Sequence, residues 1–393
     1  MAAWQNASGG GLNPFASTKL TAPNHADGCG LKWSVINGRS RKTSVALNRD
    51  PLRSLGAPSA NPSKKSLHKP KISSKLRIML RRLTRTSGYG LMFHHFHQPG
   101  ARFGQGSITA DRFADMLDFV GRDLFLPAEE WHQRAIEKKL GKDDLCITFD
   151  DNLMCQYEIA APVLESYGLT GFFFIYSSVC GGNIENLEVY RVFRSEYFDS
   201  IPAFYEAFER EAEARLPEIN LPGRMKDFNP ADNLQSFAFY TAEDKRFRFI
   251  RDDVLGPEDY SLVMDAMIAQ RGLKKDILAQ HLWMDDHCLR SLGKKGHIIG
   301  LHSYSHPTRL CNLARETQAE EYRKNYEHIA QAIGVKPTSM SHPCNSYNRE
   351  TLEILGELGI RVGFCATMCE IEDRGPLEFP RKDHANILRE MGA

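Results

Sequence analysis

The chain has 393 residues, of which 42% are hydrophobic and 25% charged, and its formal net charge at pH 7 is +1. These values are those of an ordinary globular protein and exclude collagen-like and wholly low-complexity chains. No apolar run approaches the ~20 residues that span a bilayer, and the N-terminus lacks the apolar centre of a secretory signal. The nine cysteines show no C-x-x-C spacing, which favours a reducing compartment. We therefore expect a cytoplasmic protein without a transmembrane segment.

The first 86 residues differ in composition from the rest. They hold 16 Lys or Arg but only two acidic residues, Asp27 and Asp50, and they are rich in Ser, Asn, Gly and Pro. Such a segment buries too little apolar surface to offset its ordering entropy, so residues 1–86 are predicted to be a disordered basic arm. An upstream extension of the reading frame, an organelle transit peptide and a nucleic-acid contact remain alternatives. No interleaved aromatic residues support the last, and no nucleic-acid partner is expected.

From residue 88 onward, apolar strand-like runs alternate with helical patterns. Strands are predicted within 89–97, 145–150, 170–178, 297–306, 339–348, 360–367 and 377–383, and helices within 108–123, 154–168, 284–296, 316–334 and 349–359. Residues 183–283 interrupt this rhythm with amphipathic helices and are interpreted as a helical insertion. Alternating strands and helices predict a parallel sheet or barrel, so the second domain, 87–393, is expected to be a barrel carrying this insertion.

Charged and polar residues follow two of these strands. The stretch "DDLCITFDDN" ends on Asp150 and Asp151, and "HSYSH" places His302 and His306 after a later strand. Active sites of parallel α/β folds lie at the carboxyl ends of strands. Two neutral histidines and one carboxylate form a common ligand set for an open catalytic metal, and the H-x-x-x-H spacing fits one helical turn. Two ordinary loop histidines and a solvated Asp-Asp turn are the alternatives.

The two aspartates can have separate roles in such a site. If Asp151 binds a metal ion, its charge is neutralised, and the same cation keeps the adjacent Asp150 ionised despite burial. An ionised carboxylate beside water that a zinc ion has acidified toward a pKa of about 7 can act as a general base. A bound cation would thus explain why a buried strand ends on two like charges.

Three segments now identify a family resemblance: "ITFDDN", "GHIIGLHSYSHP" and "HPCNSYNRETLEILGELGIRVGF". In this order they resemble the polysaccharide deacetylase superfamily (carbohydrate esterase family 4, NodB homology domain), whose first two motifs read T-F-D-D-G and H-[ST]-x-x-H. The resemblance covers about residues 88–384 without the insertion. It implies a deformed (β/α) barrel and metal-dependent hydrolysis of an N-acetyl group on an amino sugar.

The resemblance also implies residue roles. Asp150 corresponds to the general base, and Asp151, His302 and His306 correspond to the ligands of one divalent metal, expected to be Zn²⁺, with Co²⁺ or Mn²⁺ as alternatives. The backbone N–H of Cys344, after Pro343, is expected to bind the oxyanion.

Several positions depart from the family pattern. Asn152 replaces the usual Gly after the aspartate pair, but Asn tolerates left-handed backbone angles. Ser341 stands where the third motif, R-x-P-[YF], has an Arg that orients the base, and Arg381 is a candidate to supply that cation to Asp150 from another strand end. No L-x-H motif is clear. His384 is the nearest candidate for the general acid, and a solvated terminal His is the alternative.

The first strand ends in a run of histidines, "MFHHFH". His95 is predicted to reach substrate or to brace the base, and loop histidines without a catalytic role are the alternative. His95, Pro343, Cys344 and Arg381 are together predicted to form the substrate-binding residues. The expected function is removal of an N-acetyl or N-formyl group from an amino sugar in surface-polysaccharide or glycolipid biosynthesis. A catalytically weak glycan-binding barrel is the alternative, motivated by the missing third-motif Arg.

Overall fold

The computed structural model describes residues 88–233, 240–368 and 374–392, so the predicted arm at 1–86 lies outside the described residues. Seven parallel strands form one sheet in the order β6-β5-β4-β3-β2-β1-β7. The strands are β1 (Tyr89–Phe93), β2 (Leu145–Phe149), β3 (Phe172–Ile175), β4 (Ile298–Leu301), β5 (Ser339–Ser341), β6 (Val362–Phe364) and β7 (Arg381–Asp383). The two ends of the sheet approach each other, because Cys365 N–H donates to Phe379 O at 3.0 Å and Phe379 N–H to Gly363 O at 2.8 Å. The sheet is therefore a nearly closed, deformed barrel, as predicted.

Helices lie at each predicted place, and two further ones, Ala128–Ile136 and His384–Glu390, were not predicted. The helices of the described residues are α1 (Ala110–Val120), α2 (Ala128–Ile136), α3 (Ala161–Tyr167), α4 (Asn186–Glu196), α5 (Ile201–Arg215), α6 (Leu221–Arg224), α7 (Ala242–Phe249), α8 (Gly256–Gln270), α9 (Lys275–Leu278), α10 (Asp286–Lys294), α11 (Arg315–Ile333), α12 (Arg349–Glu357) and α13 (His384–Glu390). All of them are too short or too polar to cross a lipid bilayer. One turn of π-helix, Gln156–Ala160, precedes α3, where Pro162 has no N–H to continue regular α-helical bonding.

The strands are buried on both faces, which explains their continuous apolar sequence. Phe172 and Phe174 of β3 join one cluster with Trp131, whereas Phe173 and Ile175 join the larger cluster against the surrounding helices. The alternation follows the period of two in a strand, so one face points into the barrel and the other toward the helices. Trp131 fills the interior, with its ring 5.8 Å from that of Phe172. The barrel is thus a packed core that leaves the carboxyl ends of the strands for a site.

The segment between β3 and β4 is helical, as predicted, and has a hydrophobic core of its own. Helices α4 to α9 contribute this core, in which Phe204, Phe208 and Phe247 pack edge to face. The insertion returns to the barrel beside the end of β2, where Met284 N–H donates to Asn152 O at 3.0 Å. It therefore begins and ends next to the predicted site.

The N-terminus of α1 offers a test of helix capping. The Thr109 hydroxyl accepts a hydrogen bond from Arg112 N–H at 3.2 Å, and the helix buries Phe113, Met116 and Leu117. Thr109→Ala removes an acceptor for a terminal N–H and should lower the free energy of unfolding by about 1 kcal/mol, measured by urea denaturation. Thr109→Ser keeps the oxygen and should unfold at nearly the wild-type midpoint. An unchanged midpoint in the alanine variant would show that this cap contributes nothing.

Candidate active site

Asp150 and Asp151 lie side by side at the carboxyl end of β2. Asp150 N–H still belongs to the sheet, donating to Phe93 O at 3.2 Å. The next two residues leave the strand with positive φ angles, 81° at Asp151 and 55° at Asn152. This sharp turn ends the alternation of side chains, so both carboxylates can face the same site. Asn152 adopts the left-handed conformation for which the family uses Gly, and its side-chain amide donates to Met284 O at 3.2 Å.

Asp151, His302 and His306 come together from two strand ends. The Asp151 Oδ1 atom lies 3.3 Å from His302 Nε2 and 3.4 Å from His306 Nε2. The expectation that one helical turn unites the two histidines is wrong. They follow β4 in a loop in which Ser303 and His306 have φ angles of 61° and 58°, and Ser303 Oγ accepts from His306 N–H at 3.1 Å. A hydroxyl-stabilised turn thus gives the same proximity.

The hydrogen bonds of this cluster fit a cation between its members. His302 Nδ1 donates to the carbonyl oxygen of Ser341 at 2.9 Å, because a carbonyl can only accept. The pKa of His302 is raised despite its burial, because Asp150 and Asp151 favour the protonated form. Its Nε2 atom therefore carries either a proton or a metal ion toward Asp151 Oδ1, 3.3 Å away. Burial lowers the pKa of His306 to about 4, which keeps its imidazole neutral at pH 7, as a metal ligand must be.

Further acidic groups surround this cluster. Burial, together with the charges of Glu188 and Asp151, raises the pKa of Glu185 to about 7. The pKa of Asp151 is lowered despite its burial, because His302, His306 and His94 favour the ionised form. A concentration of carboxylates around two imidazoles favours a divalent cation. The residues present therefore fit the metal site that the resemblance implies.

Asp150 forms a buried ion pair with Arg381. Arg381 Nη1 and Nη2 lie 2.6 and 2.7 Å from Asp150 Oδ1 and Oδ2, a bidentate arrangement. Burial alone would raise the pKa of Asp150, but Arg381, His302 and His94 outweigh it and the pKa is lowered. Asp150 is therefore ionised at neutral pH and fixed in orientation.

Arg381 is enclosed in the barrel and crosses its interior from β7. Its other guanidinium N–H groups donate to Cys365 O, Thr148 Oγ1 and Ser341 Oγ at 3.0 to 3.3 Å, and only 1% of the residue is exposed. Its donors are occupied inside the protein, and its predicted role as a substrate-binding residue stays a prediction. A side chain at Gly90 would come within 3.1 Å of Arg381 Cγ, so the glycine leaves room for this path.

Ser341 connects the two halves of the site. It stands where the family has its third-motif Arg, and its hydroxyl donates to Asp150 Oδ2 at 3.1 Å while accepting from Arg381 Nη2. Its carbonyl oxygen orients His302. The small side chain on β5 leaves the space that the guanidinium from β7 occupies, so the cation beside Asp150 comes from a different strand.

His94 is a site residue that the sequence pattern alone does not distinguish from its neighbours. Its Nε2 atom lies 4.0 Å from Asp150 Oδ2 and 3.9 Å from Asp151 Oδ2. The predicted His95 instead donates from Nε2 to Glu188 Oε2 of the insertion at 2.8 Å, and within the described residues no hydrogen bond joins it to Asp150. The histidine run at the end of β1 was the available signal, but it could not decide which ring faces the carboxylates.

The remaining predicted residues lie around this centre. Pro343 is buried at the start of a short 3₁₀ turn after β5, and the exposed Cys344 has a φ angle of 50°. Within the described residues, the amide N–H of Cys344 donates no hydrogen bond. His384 begins α13, is mostly buried and has its Nε2 atom 2.8 Å from Gly106 O. The alternative of a solvated terminal histidine is therefore wrong for His384, whose role as the general acid stays a prediction.

Comparisons with known proteins give a family match. A family model described as polysaccharide deacetylase matches residues 260–363, a span that contains His302, His306 and Pro343. The uncharacterised protein YlxY of Bacillus subtilis (strain 168) is 37% identical over 68 residues, which are 17% of this chain and 21% of that protein. The matched part of the chain thus spans about a fifth of that relative's length.

Two solved structures are similar to this chain at low sequence identity. The Streptococcus pyogenes deacetylase PplD in complex with acetate is 15% identical, with a TM-score of 0.45 over 78% of this chain and 99% of that one. IcaB from Ammonifex degensii is also 15% identical, with a TM-score of 0.43 over 76% of this chain and 91% of that one. The family match confirms the resemblance to the polysaccharide deacetylase superfamily that the sequence motifs predicted.

Proposed function

We propose that the protein is a metal-dependent hydrolase that removes an N-acetyl or N-formyl group from an amino sugar. One observation carries this proposal: an ionised, Arg-paired Asp150 lies directly beside the Asp151, His302 and His306 cluster. A carboxylate base next to a three-ligand metal set is the arrangement that amide hydrolysis requires. Zn²⁺ is the expected metal, with Co²⁺ or Mn²⁺ as alternatives, and Asp151, His302 and His306 would hold it.

The chain's own residues supply the other parts of the reaction. A bound metal ion would act as a Lewis acid and acidify water. Asp150 would take a proton from the attacking water, with Arg381 holding the carboxylate in place. The free N–H of Cys344 would stabilise the negative oxygen of the tetrahedral intermediate, and His384 would protonate the leaving amine. His94, close to both carboxylates, would contact the reacting group.

The expected substrate is a glycan or an activated amino sugar in surface-polysaccharide or glycolipid synthesis, and the expected location is the cytoplasm. His95, Pro343 and Cys344 would contact it, and the insertion, which joins the barrel beside the site, would help select it. The alternative of an inactive glycan-binding barrel arose from the missing third-motif Arg. Arg381 places a guanidinium on the base, so that motivation no longer applies.

Metal content tests this proposal most directly. The wild-type protein, purified without chelator or a histidine tag, should hold about one divalent metal ion per chain by mass spectrometry. His302→Ala/His306→Ala removes two of the three ligands and should lose both the metal and the release of acetate from N-acetylated sugars. The exposed His287→Ala is the matched control and should retain both. A wild-type protein that binds none of zinc, cobalt or manganese would contradict the mechanism.

A further inference from the structure

A cavity of about 590 Å³ adjoins the candidate active site and is rich in arginine. Its lining includes His94, which also lies within 4.0 Å of both catalytic carboxylates. Arg191 of α4 and Arg248 of α7 reach it from the insertion, and Arg389 reaches it from α13. The volume is in the range of small-molecule sites. The cavity therefore lies between the barrel mouth and the insertion, where a substituent of a bound sugar could extend.

None of the three arginines forms an ion pair with a carboxylate in the described part of the chain. Arg191 donates to the backbone oxygen of Gln105 at 2.7 Å, Arg248 stacks on the ring of Tyr240 at 4.0 Å, and Arg389 donates to Asn386 Oδ1. The buried Arg194, whose charge acts on Arg191 and Arg248, lies over the ring of Phe247 at 5.8 Å. The nearest opposing charge is that of Glu188, which lies beside Arg191 and accepts from His95 at 2.8 Å. Positive charge therefore exceeds negative charge around this cavity.

The cluster is also electrostatically unfavourable by itself. Burial, together with the positive charges of Arg194 and Arg248, lowers the pKa of Arg191 to about 10 against the opposing charge of Glu188, and the group remains charged at pH 7. Burial and neighbouring arginines likewise lower the pKa of Arg248. Partly desolvated cations that repel one another are costly unless an anion joins them. The cavity thus has an excess of positive charge, which a bound anion would neutralise.

The charge count distinguishes among anions. The three arginines of the cavity and the neighbouring Arg194 carry four positive charges, and Asp383 of the cavity wall and Glu188 beside Arg191 carry two negative ones, so two positive charges remain. A phosphate ester carries −1.5 to −2 at pH 7, whereas a sugar carboxylate carries −1. Planar guanidinium groups also bind phosphate oxygens in bidentate fashion. A phosphate or diphosphate therefore fits the cavity better than a carboxylate does.

We propose that this cavity binds the phosphate or diphosphate group of the substrate, so that the protein acts on a phosphorylated or phosphate-linked amino sugar. The proposal rests on the proposed deacylation, because it extends the substrate of that same site. The acylated nitrogen would lie at Asp150 and Asp151 while the phosphate lies beyond His94, on the arginines of the insertion. Three sources share this chemistry: a sugar phosphate, a nucleoside diphosphate sugar and a prenyl diphosphate sugar.

Calorimetry on the full, chelator-treated protein tests the binding, because phosphate then has no metal to bind. N-acetylglucosamine 1-phosphate should bind at least about tenfold more tightly than N-acetylglucosamine, since each charge-assisted hydrogen bond contributes about a factor of ten or more in affinity. Arg248→Gln should remove about tenfold of this preference, and Arg191→Gln the same. Arg323→Gln, which removes an exposed arginine paired with Glu320 and Glu327, is the control and should bind like wild type.

The outcomes separate this inference from the proposed function. Equal affinity for the neutral and phosphorylated sugars, or a preference untouched by both arginine variants, would overturn the phosphate site even if acetate is released. A preference that the variants abolish, in a metal-loaded protein that releases neither acetate nor formate from N-acetylated and N-formylated sugar phosphates, would support the phosphate site and refute the deacylase. The affinities of a uridine diphosphate sugar and of a prenyl diphosphate sugar in micelles are then measured against that of the sugar 1-phosphate. The ligand that binds most tightly relative to neutral N-acetylglucosamine identifies which of the three sources supplies the phosphate.

Discussion

Asp150→Asn is expected to reduce the hydrolysis of N-acetylated amino sugars by about 10²–10⁴-fold, the usual contribution of a positioned general base. The asparagine keeps the shape of the side chain and an oxygen for Arg381, but it cannot take up a proton at neutral pH. Bound metal should stay near the wild-type level, because the predicted ligands are Asp151, His302 and His306. The measurements are the initial rate of acetate release and the metal content of the same sample.

The control for this variant lies at the other end of β2. Asp144 pairs with Arg134 at 2.9 Å and accepts from Gly141 N–H, far along the strand from the site. Asp144→Asn also removes a paired carboxylate from this strand and should keep near wild-type turnover. If Asp150→Asn retained wild-type activity with its metal bound, Asp150 would not be the base, and His94 would become the leading candidate.

The fold was predictable because its signals are local. Each strand is a short apolar run and each helix has an apolar face. Caps such as Thr109 at the start of α1 and Gly168 at the end of α3, with a φ angle of 64°, agree with the predicted ends. The helical nature of the segment between β3 and β4 followed from amphipathic patterns in the same way. Patterns of this kind depend only on neighbours in sequence.

The site was predictable only where a motif carries its own geometry. The T-F-D-D and H-x-x-x-H segments indicated which carboxylates and imidazoles meet, but the loop conformation of the histidines depends on Ser303 and its hydroxyl. The ring that faces Asp150 depends on how β1 ends, so a run of histidines could not single out His94. These details depend on the turns at the strand ends, because the backbone angles of a single turn residue change the directions of the side chains that follow it.

The Arg381 pairing shows why a missing motif residue does not by itself indicate a dead site. A guanidinium from β7 and one from β5 can reach the same carboxylate, because strand ends converge inside a closed barrel. Ser341 leaves the required space, and the absent side chain at Gly90 lets Arg381 pass. The sequence indicates Arg381 as the candidate cation. Only the packing shows that Arg381 compensates for the missing Arg at position 341.

Replacing Arg381 by methionine is expected to destabilise the fold by about 3–5 kcal/mol, because it leaves the charge of Asp150 buried without a partner. The measure is the free energy of unfolding from urea denaturation at pH 7. Asp150→Asn alone leaves the buried guanidinium of Arg381 without a charged partner and should also lower the free energy of unfolding. The double variant, Asp150→Asn/Arg381→Met, should lose less stability than the two single losses together, since neither charge remains. Additive losses would show that the two side chains do not stabilise each other.

The pH dependence separates a role in catalysis from one in stability alone. Arg381 holds the pKa of Asp150 low against the effect of burial, so the base is ionised well below neutral pH. In Arg381→Met, the guanidinium no longer counteracts the pKa increase that burial causes, so the pKa of Asp150 should rise. The acidic limb of the rate profile should therefore move to higher pH, and activity at pH 5 should fall more than activity at pH 8. A uniform loss at every pH would mean that Arg381 supports the fold without tuning the base.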